Sequence, residues 1–206
     1  SLPLKPGEDE AGQANDAWVE YEPAVSDYVD EGTYAVYYKA TSSGGSCIFS
    51  QLYSATKKGA GPAVQMAAQL MENLGGDLLD YRPQLSKATV IPVMGHGDTF
   101  TSPESVTYVL ATALGIGKVD TSLLKHEPRM AVKEFTTAAE RVGLLKDKYS
   151  VDLSSLQAMH SRAAEPIDIV LVDDSSSHGC TTNEIARTVK EAAVAIDLRV
   201  KVWVVV

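Results

Sequence analysis

A chain of 206 residues with 45% apolar side chains is long enough to bury one sizeable core, with at most a modest appendage. Its net charge of -9 argues against an extended nucleic-acid footprint, which needs clustered Lys and Arg, and no apolar run approaches the roughly 20 residues of a membrane helix. Two cysteines, Cys47 and Cys180, are too few for a disulfide framework or a metal cluster, so a reducing, cytoplasmic setting is expected.

Residues 1–30 open with SLPLKPGEDEAGQANDAW, which is polar, acidic and unlike a secretory signal. They read as an irregular N-terminal segment, and residues 31–206 as one domain. TYAVYYKA (33–40) has the composition of a strand, with SSGG (42–45) as a turn. The stretch from Cys47 begins apolar and ends in the basic turn Lys57, Lys58, Gly59. Pro62 stands where a helix can begin, and AVQMAAQLMENL repeats apolar residues at helical spacing until Gly75 and Gly76 are expected to stop it. KATVIPV (87–93) is a second strand, followed by the loop MGHGDTFTSP. A helix is expected from Ser102 and Pro103 to Gly115, and another over 135–145. IDIVLVD (167–173) is a continuously apolar strand, and a helix follows from about Thr182, with Thr181 and Glu184 spaced as a capping box. Ile185, Val189, Ala192 and Ala193 form that helix's buried stripe. KVWVVV (201–206) is a last strand, and a chain stopping there has the look of a segment of something longer.

Strands alternating with helices around a continuously apolar strand predict a three-layer α/β fold, with helices on both faces of a mostly parallel sheet. Ligands in such folds bind beyond the carboxyl ends of the strands, beside helix N-termini. The stretch DDSSSHGCT, from Asp173 to Thr181, falls there. Ser175, Ser176, Ser177, His178, Gly179, Cys180 and Thr181 make a hydroxyl-rich loop running into a helix start, where free N–H groups and the helix dipole favour an anion such as phosphate. Gly179 allows backbone to approach a ligand. The adjacent acids Asp173 and Asp174 would repel a bare phosphate but suit hydroxyls or a metal a few ångströms away. A molecule with phosphate at one end and vicinal hydroxyls at the other is a ribose 5-phosphate.

Bland alternatives stand beside each of these. The acid pair is also compatible with a solvated loop, or with a receiver-type signalling domain, although that fold carries its acids near its beginning. Cys180 reads first as a packing residue, His178 equally as a phosphate contact or an exposed loop residue, and Lys57 and Lys58 as a solvated turn. Gly95, His96, Gly97 and Asp98 line a strand end without metal-site spacing.

The run Ile169, Val170, Leu171, Val172, Asp173, Asp174, Ser175, Ser176, Ser177, His178, Gly179, Cys180, Thr181 resembles the signature of type I phosphoribosyltransferases: four apolar residues, two acids, two variable positions, then Thr-Thr-Gly-x-Thr. Ser177 and His178 replace the two threonines. The wider chain, roughly 47–193, is most similar to the competence-protein ComF branch, on the strength of the Lys57-Lys58-Gly59 turn before an Ala- and Leu-rich helix and of Ile91-Pro92-Val93. GHGDTFTSPESV stands where that branch has Arg-Gly-Phe-Asn-Gln. The resemblance implies an enzyme of nucleotide metabolism, a glycosyltransferase that binds 5-phosphoribosyl pyrophosphate (PRPP) with Mg2+. Asp173 and Asp174 would hold the ribose hydroxyls, and residues 175–181 the 5′-phosphate. Lys57 and Lys58 would meet the pyrophosphate, and Mg2+ would bind through ligand oxygens, with no protein metal cage. Its partners would be PRPP, an acceptor base or other nucleophile, and a second copy in a homodimer, with no membrane and no extended nucleic-acid footprint. A non-catalytic PRPP- or nucleotide-binding regulatory module is the other reading, favoured by the altered positions.

Overall fold

The computed structural model describes residues 19–20, 25–35, 55–56, 58, 61–95, 105–127, 137–160, 166–174 and 179–206. Six strands form one sheet in the order β1-β2-β8-β7-β3-β4: β1 (Val19–Glu20), β2 (Glu31–Tyr34), β8 (Val200–Val205), β7 (Ile167–Val172), β3 (Thr89–Pro92) and β4 (Lys118–Val119). From β2 to β4 every neighbouring pair is parallel, and β1 adds an antiparallel edge. A separate antiparallel pair joins β5 (Leu124–His126) to β6 (Tyr149–Val151). The helices are α1 (Gly61–Tyr81), α2 (Val106–Ala113), α3 (Ala138–Leu145), α4 (Leu153–His160) and α5 (Cys180–Ala195).

Side chains on successive strand residues point to opposite faces, so a strand that feeds two layers must be apolar throughout. In β7, Ile169 and Leu171 join one buried cluster with Ile185, Val189 and Ala193 of α5. Val170 and Val172 join a second cluster with Met71, Leu74 and Leu78 of α1 and Leu110, Ala111 and Leu114 around α2. In β8, Val202 and Val204 take the first side, and Trp203 and Val205 the second. The expected three-layer α/β architecture with helices on both faces is therefore present.

Several boundaries differ from the sequence expectation. α1 does not stop at Gly75 and Gly76 but runs through them to Tyr81. Gly75 lies so close to the end of α2 that a Cβ would sit 1.6 Å from the Leu114 carbonyl oxygen. The glycine is there for a helix crossing and not for a helix end. α2 begins at Val106, with Ser105 accepting the Tyr108 N–H at 3.2 Å, in place of a start at Ser102 and Pro103. Strand β2 starts two residues before Thr33, because Glu31 already pairs with Trp203.

Candidate functional site

The acid pair closes the central strand. The Asp173 N–H donates to the Val205 carbonyl at 3.1 Å, which extends the β7–β8 ladder one residue past the strand and fixes the first acid's backbone. The Asp174 N–H donates to Asp173 Oδ1 at 2.8 Å. Both residues are half-buried. On the other side of β7, the Val93 N–H donates to the Val172 carbonyl at 2.8 Å, so the end of β3 lies alongside. The Thr107 hydroxyl donates to the Val93 carbonyl at 2.9 Å and ties the first turn of α2 to the same strand end. Gly95, just beyond, is exposed.

This place has a topological meaning. From β3 the chain passes through α2 to β4 on one flank; from β7 it passes through α5 to β8 on the other. The winding thus reverses between β3 and β7. In open α/β sheets the helices leaving such a pair go to opposite faces, and the strand ends between them form a crevice that no connection crosses. Asp173 and Asp174 stand at that point.

α5 starts at Cys180, two residues earlier than expected, with buried Gly179 as its N-cap in the left-handed conformation at φ 73° and ψ 2°. A side chain at Gly179 would strain that backbone, which explains a glycine here. Its N-cap residue, being glycine, offers no side-chain cap. The expected Thr181–Glu184 capping box is absent, because Glu184 is drawn away along the helix. Its Oε1 accepts the Asp147 N–H at 3.0 Å, and its two oxygens accept from Arg187 at 2.6 and 2.8 Å. These contacts hold the Arg187 guanidinium well above its ordinary pKa, Glu184 contributing most. The Thr182 hydroxyl turns back to the Gly179 carbonyl at 3.1 Å, while Thr181 stays half-buried in the first turn.

Cys180 is buried, and burial pushes its thiol above the ordinary value against the opposing pull of Arg141. Its Sγ lies 3.9 Å from the Ala138 carbonyl. Both facts agree with a packing side chain. Ser175, Ser176, Ser177 and His178 lie outside the described residues, as do Lys57, Cys47 and the loop containing His96, Gly97 and Asp98. Lys58 is exposed in a turn before α1, and among the described residues no ion pair joins it to Asp173 or Asp174.

Among the described residues no group of three or more His, Cys, Asp or Glu side chains gathers as a metal cage. No helix among the described residues is long and apolar enough to cross a membrane. The chain matches no protein-family model and no curated protein sequence.

One participant had no signal in the local sequence. Asn183, in the first turn of α5, accepts the Tyr28 N–H on Oδ1 at 2.9 Å from a residue 155 positions earlier. Only the folded chain brings the two together.

Proposed function

We propose that the protein binds PRPP with Mg2+ at the carboxyl end of β7 and transfers the phosphoribosyl group to a base or other nucleophile, as a phosphoribosyltransferase-like enzyme of the kind its signature resembles. The observation that carries this reading is the acid pair, half-buried at the reversal point of the sheet, one short loop away from a helix start whose N-cap is a glycine. The carboxylates of Asp173 and Asp174 accept hydrogen bonds from the ribose 2′- and 3′-hydroxyls. The N–H groups at Gly179, Cys180 and Thr181, with residues 175–178, receive the 5′-phosphate, for which the helix start supplies both donors and a favourable dipole. Lys57 and Lys58 remain the pyrophosphate contacts of this reading, and Mg2+ supplies charge neutralisation there when bound.

In the reaction the bond from C1 of the ribose to the pyrophosphate oxygen breaks and the electron pair leaves with pyrophosphate. A bond from C1 to the acceptor nitrogen forms, and the acceptor loses its proton to solvent or a nearby base. The chain's part is to fix the sugar at both ends so that C1 faces the acceptor, which converts binding into orientation. The alternative reading is a regulatory module that binds PRPP or a nucleotide without turnover, and the replacement of two signature threonines by Ser177 and His178 favours it.

Calorimetric titration with PRPP and Mg2+ tests the site. The intact chain should bind, and the Asp173→Asn/Asp174→Asn double variant should bind about a hundredfold more weakly, since two charge-assisted acceptors are lost. An intact chain that ignores PRPP removes both readings. Pyrophosphate release with a panel of acceptor bases then separates enzyme from module.

A further inference from the structure

Residues 25–30 cross from the sheet edge to α5, and their attachments are specific. Asp30 donates its N–H to the Val202 carbonyl at 2.9 Å and accepts the Val202 N–H on Oδ2 at 2.7 Å. The same carboxylate pairs with Lys190 of α5 at 2.8 Å. Val25 and Val29 pack against the core cluster beneath α5. The far end is held by Asn183, whose side chain accepts the Tyr28 N–H at 2.9 Å and is only 7% exposed. Asn183 also closes the first helical turn, its own N–H donating to the Gly179 carbonyl at 2.9 Å. One residue therefore belongs to the helix start and to the segment strapped across it.

A helix start without a side-chain cap frays easily, because its first N–H groups have no partner within the helix. The N-cap of α5 is a glycine, which offers no side chain for this, and the bond from Tyr28 supplies an outside restraint one turn in. We infer that Asn183 is a positioning residue: by tethering residues 25–30 it holds the first turn of α5 in the arrangement that receives the phosphate. This rests on the reading of that helix start as the phosphate end of the site. An anion held by several backbone N–H groups is bound more tightly when those groups are already aligned, since no ordering cost falls on the binding step. Asn183 reaches the ligand only through the backbone of its own turn.

The test compares the intact chain with Asn183→Ala and Asn183→Asp, by calorimetry with PRPP and Mg2+ and by amide hydrogen exchange at Tyr28 and Asn183 in the ligand-free protein. Asn183→Ala should weaken binding about fivefold, the size expected for one lost hydrogen bond, and speed exchange at both amides while β7 keeps its protection. Asn183→Asp retains an acceptor for Tyr28 and should keep amide exchange at Tyr28 within about twofold of the intact chain, while its added charge weakens binding of the phosphate. Asn183→Ala binding as tightly as the intact chain, or a folded Asn183→Asp whose Tyr28 amide exchanges as fast as in Asn183→Ala, overturns the proposal. Should Asn183→Ala fail to fold, Tyr28→Pro removes the donor N–H and leaves α5 untouched, and the same weakening is expected. If the intact chain binds no PRPP, it is the functional reading that fails. The tether is then judged by exchange alone: faster exchange in Asn183→Ala supports it, and unchanged exchange overturns it.

Discussion

Asp197 follows the last turn of α5 at φ 57°, a backbone conformation that costs an L residue about 1–2 kcal/mol and glycine almost nothing. The Leu198 N–H donates to the Ala193 carbonyl at 2.9 Å and the Asp197 N–H to the Val194 carbonyl at 3.1 Å, a pattern that ordinarily ends on glycine. The carboxylate also sits at the negative end of the helix dipole. Asp197→Gly is expected to stabilise the protein by about 1 kcal/mol, seen as a rise of roughly 2–4 °C in Tm. Asp147 has a similar φ of 59°, but its carboxylate pairs with Arg187 at 3.0 Å and its N–H with Glu184 at 3.0 Å. Asp147→Gly relieves the backbone and loses the ion pair, so its Tm should change little. A larger gain at 147 than at 197 would show that φ alone governs both sites.

At the scale of elements, α1 and α2 meet where Gly75 faces the Leu114 carbonyl, while Gly76 has open space at its Cβ position. The two neighbours should answer alanine oppositely. Gly76→Ala is expected to stabilise by about 0.5–1 kcal/mol through the lower entropy of the unfolded chain. Gly75→Ala forces the helices apart and should cost about 3 kcal/mol, at the upper end of overpacking effects. Denaturant midpoints of the two single variants decide it, and equal shifts would mean the helices do not touch there. Capping follows the same logic of competing contacts. Thr137 and Glu140 make the reciprocal pair at the start of α3, with bonds of 3.2 and 3.0 Å. Thr181 and Glu184 have the same spacing and fail to make it, because Arg187 and Asp147 hold the carboxylate. Asp152 caps α4 through Ser155 and Ser154, which together keep its carboxyl below the ordinary range.

For the molecule as a whole, β7 is the shared wall of both layers. Leu171 is buried among α5 contacts and Val170 among α1 and α2 contacts, so neither layer keeps its core if β7 moves. Leu171→Ala should cost about 2–5 kcal/mol, a large share of the roughly 5–15 kcal/mol that holds a typical domain. The loss should be felt on both faces at once. Far-UV circular dichroism and, with Trp18 replaced by Phe, the fluorescence of Trp203, which lies on the face opposite Leu171, are expected to report one coincident transition in this variant, at lower temperature than without the Leu171 substitution. A Trp203 signal that stays at the original Tm would separate the two layers energetically.

Much of this was legible from residue order, and for a local reason. β7 and β8 are buried on both faces from Ile169 and from Val202 onward, so 169–172 and 202–205 are unbroken apolar runs, and the acid pair with its glycine lies within nine residues of one segment. Such features need only neighbours in the chain to be recognised. β4, β5 and β6 are two or three residues long, too short to show a period in the sequence. The composition and periodicity of the chain determined an α/β layering and the place where a carboxylate pair meets a helix start. Tertiary structure alone decided that β8 lies between β2 and β7, that Gly75 serves a crossing, and that Tyr28 reaches Asn183. Those outcomes depend on contacts between residues far apart in the chain, where packing and hydrogen-bond competition, and not local spacing, select the partner.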